Sequence, residues 1–316
     1  MITRRFLVAG MLGATLLAPG FTQAGGSPIE FRIGYQKSSS LFVVARQQQA
    51  FETALKPLGV THVKWVEFQF GPPLLEALGA GAIDFGITGD TPPILAQSAG
   101  ARLVYAAGSP AVQNAILVPA SSAIQSLAEL KGKKIAFGKG SSSHNFVVRA
   151  LRKAGLEYDD IEPAFLSPAD AVAAFTTGRV DAWAVWDPYF AIAQAKHGAR
   201  PLVTTKDGLG SNTFYLANKG FAEAHPEILK ATIAALGQVG DWAAAHRQEL
   251  AQISATATGI DLAAQQTAIE RYDIEVWPLN DDVVAQQQAI ADTFFELKLI
   301  PKPVTVRDIV WTAPTN

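Results

Sequence analysis

The run Gly138-Lys139-Gly140-Ser141-Ser142-Ser143-His144-Asn145 puts hydroxyls, a permissive backbone and a helix start in one place. A helix start leaves N–H groups unpaired and carries partial positive charge, so it suits an oxyanion. The serines can cap the helix that follows or contact a ligand. The adjacent glycine lets backbone approach closely and favours contact. The run lacks Walker phosphate-loop spacing, which needs four residues between the first glycine and a Gly-Lys pair. Gln36-Lys37-Ser38, Gly71-Pro72-Pro73, Thr88-Gly89-Asp90-Thr91 and Trp186-Asp187-Pro188 offer the same kind of chemistry: amides, hydroxyls and few fixed charges. That inventory suits a monovalent anion, with each charge-assisted hydrogen bond contributing roughly 1.5–3 kcal/mol.

Asp90 and Asp187 stand where strands should end. Each either braces a turn before proline or meets a polar group on the ligand. Asp84 and Asp181 fall at strand starts and read as structural. Trp183 and Trp186 are three apart on a short strand and so face opposite ways, Trp183 into the core and Trp186 toward a ligand. Lys37 and Lys139 sit at loop edges and read as solvated. None of the five histidines lies in a metal-ligand spacing, no nucleophile-elbow pattern occurs, and there is no cysteine. His144 adjoins the serines, but neighbours on a helix start lack nucleophile–base geometry. The expectation is therefore no catalytic residue, no metal and no cofactor.

The elements that position these loops repeat. Ile29 to Tyr35 and Lys133 to Phe137 read as strands, each followed by a serine run and a helical pattern. Farther on, Gly81, Asp84 and Asp90 have the same spacing as Gly178, Asp181 and Asp187, each set after an alanine-rich helix. Alternating strands and helices predict parallel sheets covered on both faces. The expected architecture is α/β: two similar lobes, each a mostly parallel sheet flanked by helices, with two hinge crossings near Ser109-Pro110 and Gly210-Asn212. Lobe one takes 28–109 and 213–316, and lobe two takes 113–207. Asn212 to Ala217 reads as a returning strand, and His225-Pro226-Glu227 opens a helix. The strand-end loops then face a common crevice, where ligands bind.

The chain has 316 residues, 49% of them apolar, and a net charge of −2, so nothing points to nucleic acid. Arg4 and Arg5, the apolar run from Phe6 to about Leu17, and Thr22-Gln23-Ala24 read as an export signal over 1–24, cleaved after Ala24. The apolar run is shorter than the roughly 20 residues that span a membrane. The twin-arginine motif is only partly matched, so Sec and twin-arginine export both stay open. Cleavage removes two basic residues and no acid, which takes the net charge from −2 to −4.

Several stretches resemble the aliphatic sulfonate-binding proteins of ABC importers. They are Ile33-Gly34-Tyr35-Gln36-Lys37, Glu67-Phe68 with Gly71-Pro72-Pro73-Leu74-Leu75-Glu76-Ala77-Leu78, and Ile83-Asp84-Phe85-Gly86 leading to Thr88-Gly89-Asp90-Thr91-Pro92-Pro93. Gly138 to Ser142 with His144, and Asp181 to Tyr189, match the same group. The likeness covers nearly all of the mature chain. It implies a type II periplasmic-binding fold, a periplasmic monomer, a small organic sulfonate ligand, and delivery to an ABC permease with its ATPase for sulfur metabolism. Carried over as ligand-lining are Gln36, Gly89, Asp90, Thr91, Ser141, Ser142, His144, Trp186 and Asp187. Phe214 is added from its place beside the second crossing. Taurine, nitrate or another small anion is the alternative ligand. An enzyme of the pyrimidine-synthase type and a sensor subunit are alternatives from other classes. A related desulfinase uses a cysteine, which this chain lacks.

Overall fold

Ten strands form two five-stranded sheets among residues 28–314, the part of the chain described in a computed structural model. The export signal expected over 1–24 lies outside the described residues. The first sheet holds β1 (Ile29–Tyr35), β2 (Val60–Glu67), β3 (Phe85–Gly89) and β4 (Leu103–Pro110). The second holds β5 (Asn114–Val118), β6 (Lys134–Phe137), β7 (Glu162–Phe165), β8 (Ala182–Trp186) and β9 (Arg200–Thr204). The returning strand β10 (Asn212–Asn218) rejoins the first sheet.

Strand order is β2-β1-β3-β10-β4 in one sheet and β7-β6-β8-β5-β9 in the other, the same plan twice. In each, one strand runs against its neighbours: β10 pairs antiparallel with β3 and β4, and β5 with β8 and β9. Both reversed strands adjoin a crossing between the sheets. The crossings, 111–113 and 205–211, are joined by a hydrogen bond of 3.1 Å from Ala111 N–H to the Ser211 carbonyl.

The helices flanking the first sheet are α1 (Ser40–Gln47), α2 (Ala50–Leu55), α3 (Gly71–Gly79) and α4 (Thr91–Ser98). Those of the second are α5 (Ser142–Lys153), α6 (Pro168–Thr176) and α7 (Tyr189–His197). The C-terminal part adds α8 (Lys219–Ala224), α9 (Pro226–Ala245), α10 (Arg247–Thr258), α11 (Leu262–Glu270) and α12 (Asp281–Glu296). It covers both faces of the first sheet. Ile228, Leu236 and Leu250 join Phe31, Phe42 and Phe85 on one face, while Val283, Val284 and Phe294 join Leu74, Ile83 and Phe214 on the other.

The echo is atomic. Gly81 and Gly178 take φ of 73° and 71°, the left-handed region that glycine enters without strain. Each ends its helix in the same pair of bonds: Gly81 to Leu78 and Ala82 to Ala77, then Gly178 to Phe175 and Arg179 to Ala174. Asp84 and Asp181 then accept the backbone N–H of Arg32 and Lys134, both at 2.8 Å. Their own N–H groups return to the Arg32 and Lys134 carbonyls, again at 2.8 Å. These aspartates lock the start of one parallel strand to its neighbour. Boundaries differ slightly from expectation. Helix α3 starts at Gly71 because Pro72 and Pro73 fit its first turn, and β6 starts at Lys134, one residue late.

Candidate functional site

Between the sheets lies a cavity of about 750 Å³, including its open mouth. The starts of α1, α3, α4 and α5 reach its wall through Ser40, Gly71, Pro92 and Ser142. None of these four helices has a side-chain cap. By contrast, Ser167, Asn218, Asp261 and Asn280 cap α6, α8, α11 and α12, which start away from the cavity. Helices α2, α7, α9 and α10 also lack a side-chain cap, but four uncapped starts meet where a ligand would sit.

The three serines of the glycine-rich run divide their work. Ser141 Oγ donates to the Gly138 carbonyl at 2.8 Å, and Ser143 Oγ donates to Asn114 Oδ1 at 3.1 Å. Neither caps α5. Ser142 alone keeps a half-buried hydroxyl toward the cavity. Thr88, 2% exposed, also belongs to the lining, and its Oγ1 is buried beside Gly71 without a hydrogen-bond partner. A buried hydroxyl without a partner is costly, which marks Thr88 among the described residues of the lining. Glycine makes both placements possible. A Cβ on Gly71 would lie 2.1 Å from Thr88 Oγ1, and one on Gly89 would lie 2.7 Å from Ser142 Cβ. Gly89 therefore lets the end of β3 meet the start of α5 across the cleft.

Gln36, Gly89, Ser141, Ser142 and Trp186 line the cavity. The carboxamide nitrogen of Gln36 donates to the Ile87 carbonyl at 2.9 Å, which fixes the side chain. Trp186, 6% exposed, forms an apolar wall with its ring edge-on to Tyr189. Trp183, expected on the opposite face, joins Trp186 in one core cluster, where it lies deeper, at 1% exposed, and packs on Phe175.

Asp90, Thr91, His144, Asp187 and Phe214 stand away from the cavity wall, contrary to expectation, and each has a physical reason. Side chains alternate along a strand, so Thr213 and Tyr215 of β10 face the cavity while Phe214 packs edge-on against Tyr105 at 4.9 Å. His144 is 2% exposed and held at both nitrogens. Gly140 N–H donates to Nδ1 at 3.2 Å, so the proton sits on Nε2, which donates to Tyr158 Oη at 2.9 Å. Burial, with the Lys139 charge nearby, lowers its pKa to about 4 and keeps it neutral.

Asp90 accepts from the Thr91 hydroxyl at 2.9 Å and from Asn145 Nδ2 at 2.7 Å. Asp187 accepts the Ala191 N–H at 3.0 Å and pairs with Arg271 at 3.2 Å. Burial pushes both carboxyls up to about 6. For Asp90, hydrogen bonds from Thr91 and Asn145 oppose it; for Asp187, the Arg271 charge does so. Lys37 and Lys139 also stay off the wall: Lys37 lies near Glu67, and Lys139 covers the Phe165 ring.

Sequence reasoning missed the stretch Tyr272 to Glu275, which lines the cavity. It comes from the C-terminal part after α11 and carries no local signal. Burial pushes the Tyr272 phenol up to about 12, with the nearby Ser40 hydroxyl opposing it. Among the described residues, the wall holds no lysine or arginine; its charged residues are Asp273 and Glu275. A single negative charge can be met by hydroxyls and helix starts, but a second would be unpaired and close to carboxylates.

Residues 66–250 match the family described as NMT1/THI5 like. An Escherichia coli K12 protein named for aliphatic sulfonate binding is 41% identical over 310 residues, covering 97% of this chain and 95% of the relative. The alkanesulfonate-binding protein SsuA from Xanthomonas axonopodis pv. citri, solved bound to MOPS, superposes with a TM-score of 0.85 at 41% identity, over 90% of this chain and 99% of that one. The periplasmic aliphatic sulphonate binding protein SsuA from Escherichia coli gives 0.81 at 41% identity, over 92% and 94%. The desulfurization enzyme DSZB, 16% identical with a TM-score of 0.65, shares the fold alone.

Proposed function

The chain belongs to the NMT1/THI5-like family, and from that premise we propose that it captures aliphatic sulfonates between its two sheets for uptake by an ABC transporter. The carrying observation is a cavity lined by Gln36, Thr88 and Ser142 and by the uncapped starts of α1, α3, α4 and α5, with no lysine or arginine among the described residues of its wall. A sulfonate head brings three acceptor oxygens and one negative charge, which that set of donors can satisfy. Its alkyl tail gains about 0.8 kcal/mol for each methylene buried, and Trp186 supplies the apolar surface. Gln36, Thr88, Gly89, Ser142 and Trp186 are the residues assigned to the ligand.

The chain acts as a binding protein and not as an enzyme. His144, the histidine beside the serine run, is buried, neutral and occupied at both ring nitrogens, so it has no free base to offer. The protein works as a monomer in the periplasm after cleavage following Ala24, and hands its ligand to a permease driven by an ATPase. Titration calorimetry tests the binding claim. Butanesulfonate should bind more tightly than sulfate, and equal affinities would sink the model. Taurine and nitrate test the competing ligands in the same series. Mass spectrometry of the exported chain should find Gly25 at its N-terminus.

A further inference from the structure

Asp90 and Asp187 occupy equivalent positions in the two halves, each directly after the strand that ends at the cavity. Both are 1% exposed, and neither lines the cavity. Each is met by a side chain from the opposite side of the cleft. Asn145, on α5 of the second sheet, donates to Asp90 of the first at 2.7 Å. Arg271, from the C-terminal part packed on the first sheet, pairs with Asp187 of the second at 3.2 Å. Around the second tie the contact is broader: Arg271 also donates to Gln194 and lies 4.1 Å from the Phe190 ring centre, both on α7. Arg247 of α10 anchors the segment bearing Arg271 by donating to the Ile269 and Tyr272 carbonyls at 2.7 and 3.0 Å.

We propose that Asp90 and Asp187 are positioning residues for ligand capture: a pair of buried ties that hold the two sheets closed over the cavity without touching the ligand. The inference rests on the capture role proposed above and assigns its retention step. The ties enclose no part of the ligand, so they act on how long it stays rather than on how it enters. Parting the sheets leaves Asn145 and Arg271 without their acceptors. Closing them restores both bonds at once, one at the end of β3 and the other at the end of β8.

Stopped-flow fluorescence with butanesulfonate tests this, because Trp186 lies in the cavity wall. Asn145→Asp sets a second carboxylate against Asp90. It should raise the dissociation rate by about tenfold and leave association within about twofold. Combining it with Asp90→Asn restores a carboxylate–carboxamide pair with its ends exchanged, and dissociation should return to within about threefold of wild type. On the other tie, Arg271→Met should speed dissociation, while Arg271→Lys, which keeps the charge, should stay closer to the wild-type rate. Unchanged dissociation in both Asn145→Asp and Arg271→Met, or an exchanged pair no better than Asn145→Asp, would overturn the proposal. Small-angle scattering decides it without ligand: the radius of gyration of Asn145→Asp should exceed that of wild type, and equal radii would count against the ties. A wild type that ignores butanesulfonate would overturn the capture role, with the scattering result still deciding the ties.

Discussion

The two sheets share their scaffold and differ at the ends that face the ligand. Both end a helix on a left-handed glycine, both lock two parallel strands with an aspartate, and both reverse one strand of five. Beyond that the first half gives Gln36, Thr88 and the starts of three helices, and the second gives α5 and an aromatic wall. Even the shared aspartates differ in what surrounds them. Asp84 also receives the Arg32 guanidinium, whereas Lys134 turns to Glu162 instead of Asp181. Backbone geometry can therefore be used twice while chemistry is divided: both sides give hydroxyls and helix starts, and the second adds the Trp186 wall.

The largest test of this division lies on a single strand. Trp183→Ala should cost about 3–5 kcal/mol of stability in denaturant unfolding, because it empties core beside Phe175. Trp186→Ala should lose less stability but bind long-chain sulfonates worse than methanesulfonate. Equal unfolding midpoints, or a Trp186 variant insensitive to chain length, would erase the distinction between the core tryptophan and the cavity tryptophan.

Next in size is the aspartate pair. Asp84→Ala removes a backbone acceptor and a buried partner of Arg32, and should cost about 2–3 kcal/mol. Asp181→Ala, at an exposed position, should cost about 1 kcal/mol. If chemical denaturation shows the same loss at both sites, the guanidinium adds nothing and the halves are more alike than they look.

Smaller still are the ligand donors. Thr88→Val and Ser142→Ala should each weaken butanesulfonate about tenfold in calorimetry, in keeping with one hydrogen bond to a charged group. A loss confined to one of them would place the head on one side of the cleft and not between the two.

The smallest effect is pH dependence, because opposing groups share a window. Asp90 and Asp187 have carboxyls raised to about 6, so their contribution is complete below the usual carboxylate pKa and is lost as pH rises through about 6. His144 is lowered to about 4, so its contribution is complete above the ordinary histidine range and is lost as pH falls toward 4. Two groups outweigh one, and the melting temperature should fall gently between pH 4 and 6, the two values those shifts define. His144→Phe removes the opposing group and should steepen that fall; an unchanged slope would contradict the assignment.

What could be read from the sequence was local or periodic. Gly81, Asp84 and Asp90 against Gly178, Asp181 and Asp187 gave the duplicated plan, because caps and strand starts depend on near neighbours. The contacts across the cleft had no such signal. Asn145 lies 55 residues from Asp90, and Arg271 lies 84 from Asp187. Phe214 was displaced from its expected role by a single residue, enough to turn a side chain to the other face of a sheet. Thr88 lay within a recognised loop, yet its significance rests on the absence of a partner in three dimensions.

The reversed strands also set an order of assembly. Every strand of the second sheet lies between Asn114 and Thr204, so a growing chain contains that sheet entire once residue 204 has been made. The first sheet cannot close then. Its gap between β3 and β4 waits for Asn212–Asn218, and its faces wait for helices that continue to Glu296. Contacts across so long a separation form slowly because loop closure comes first. The earliest-made half is thus the last to be completed, and a nascent chain stays unfinished at its N-terminal end until nearly all of it exists.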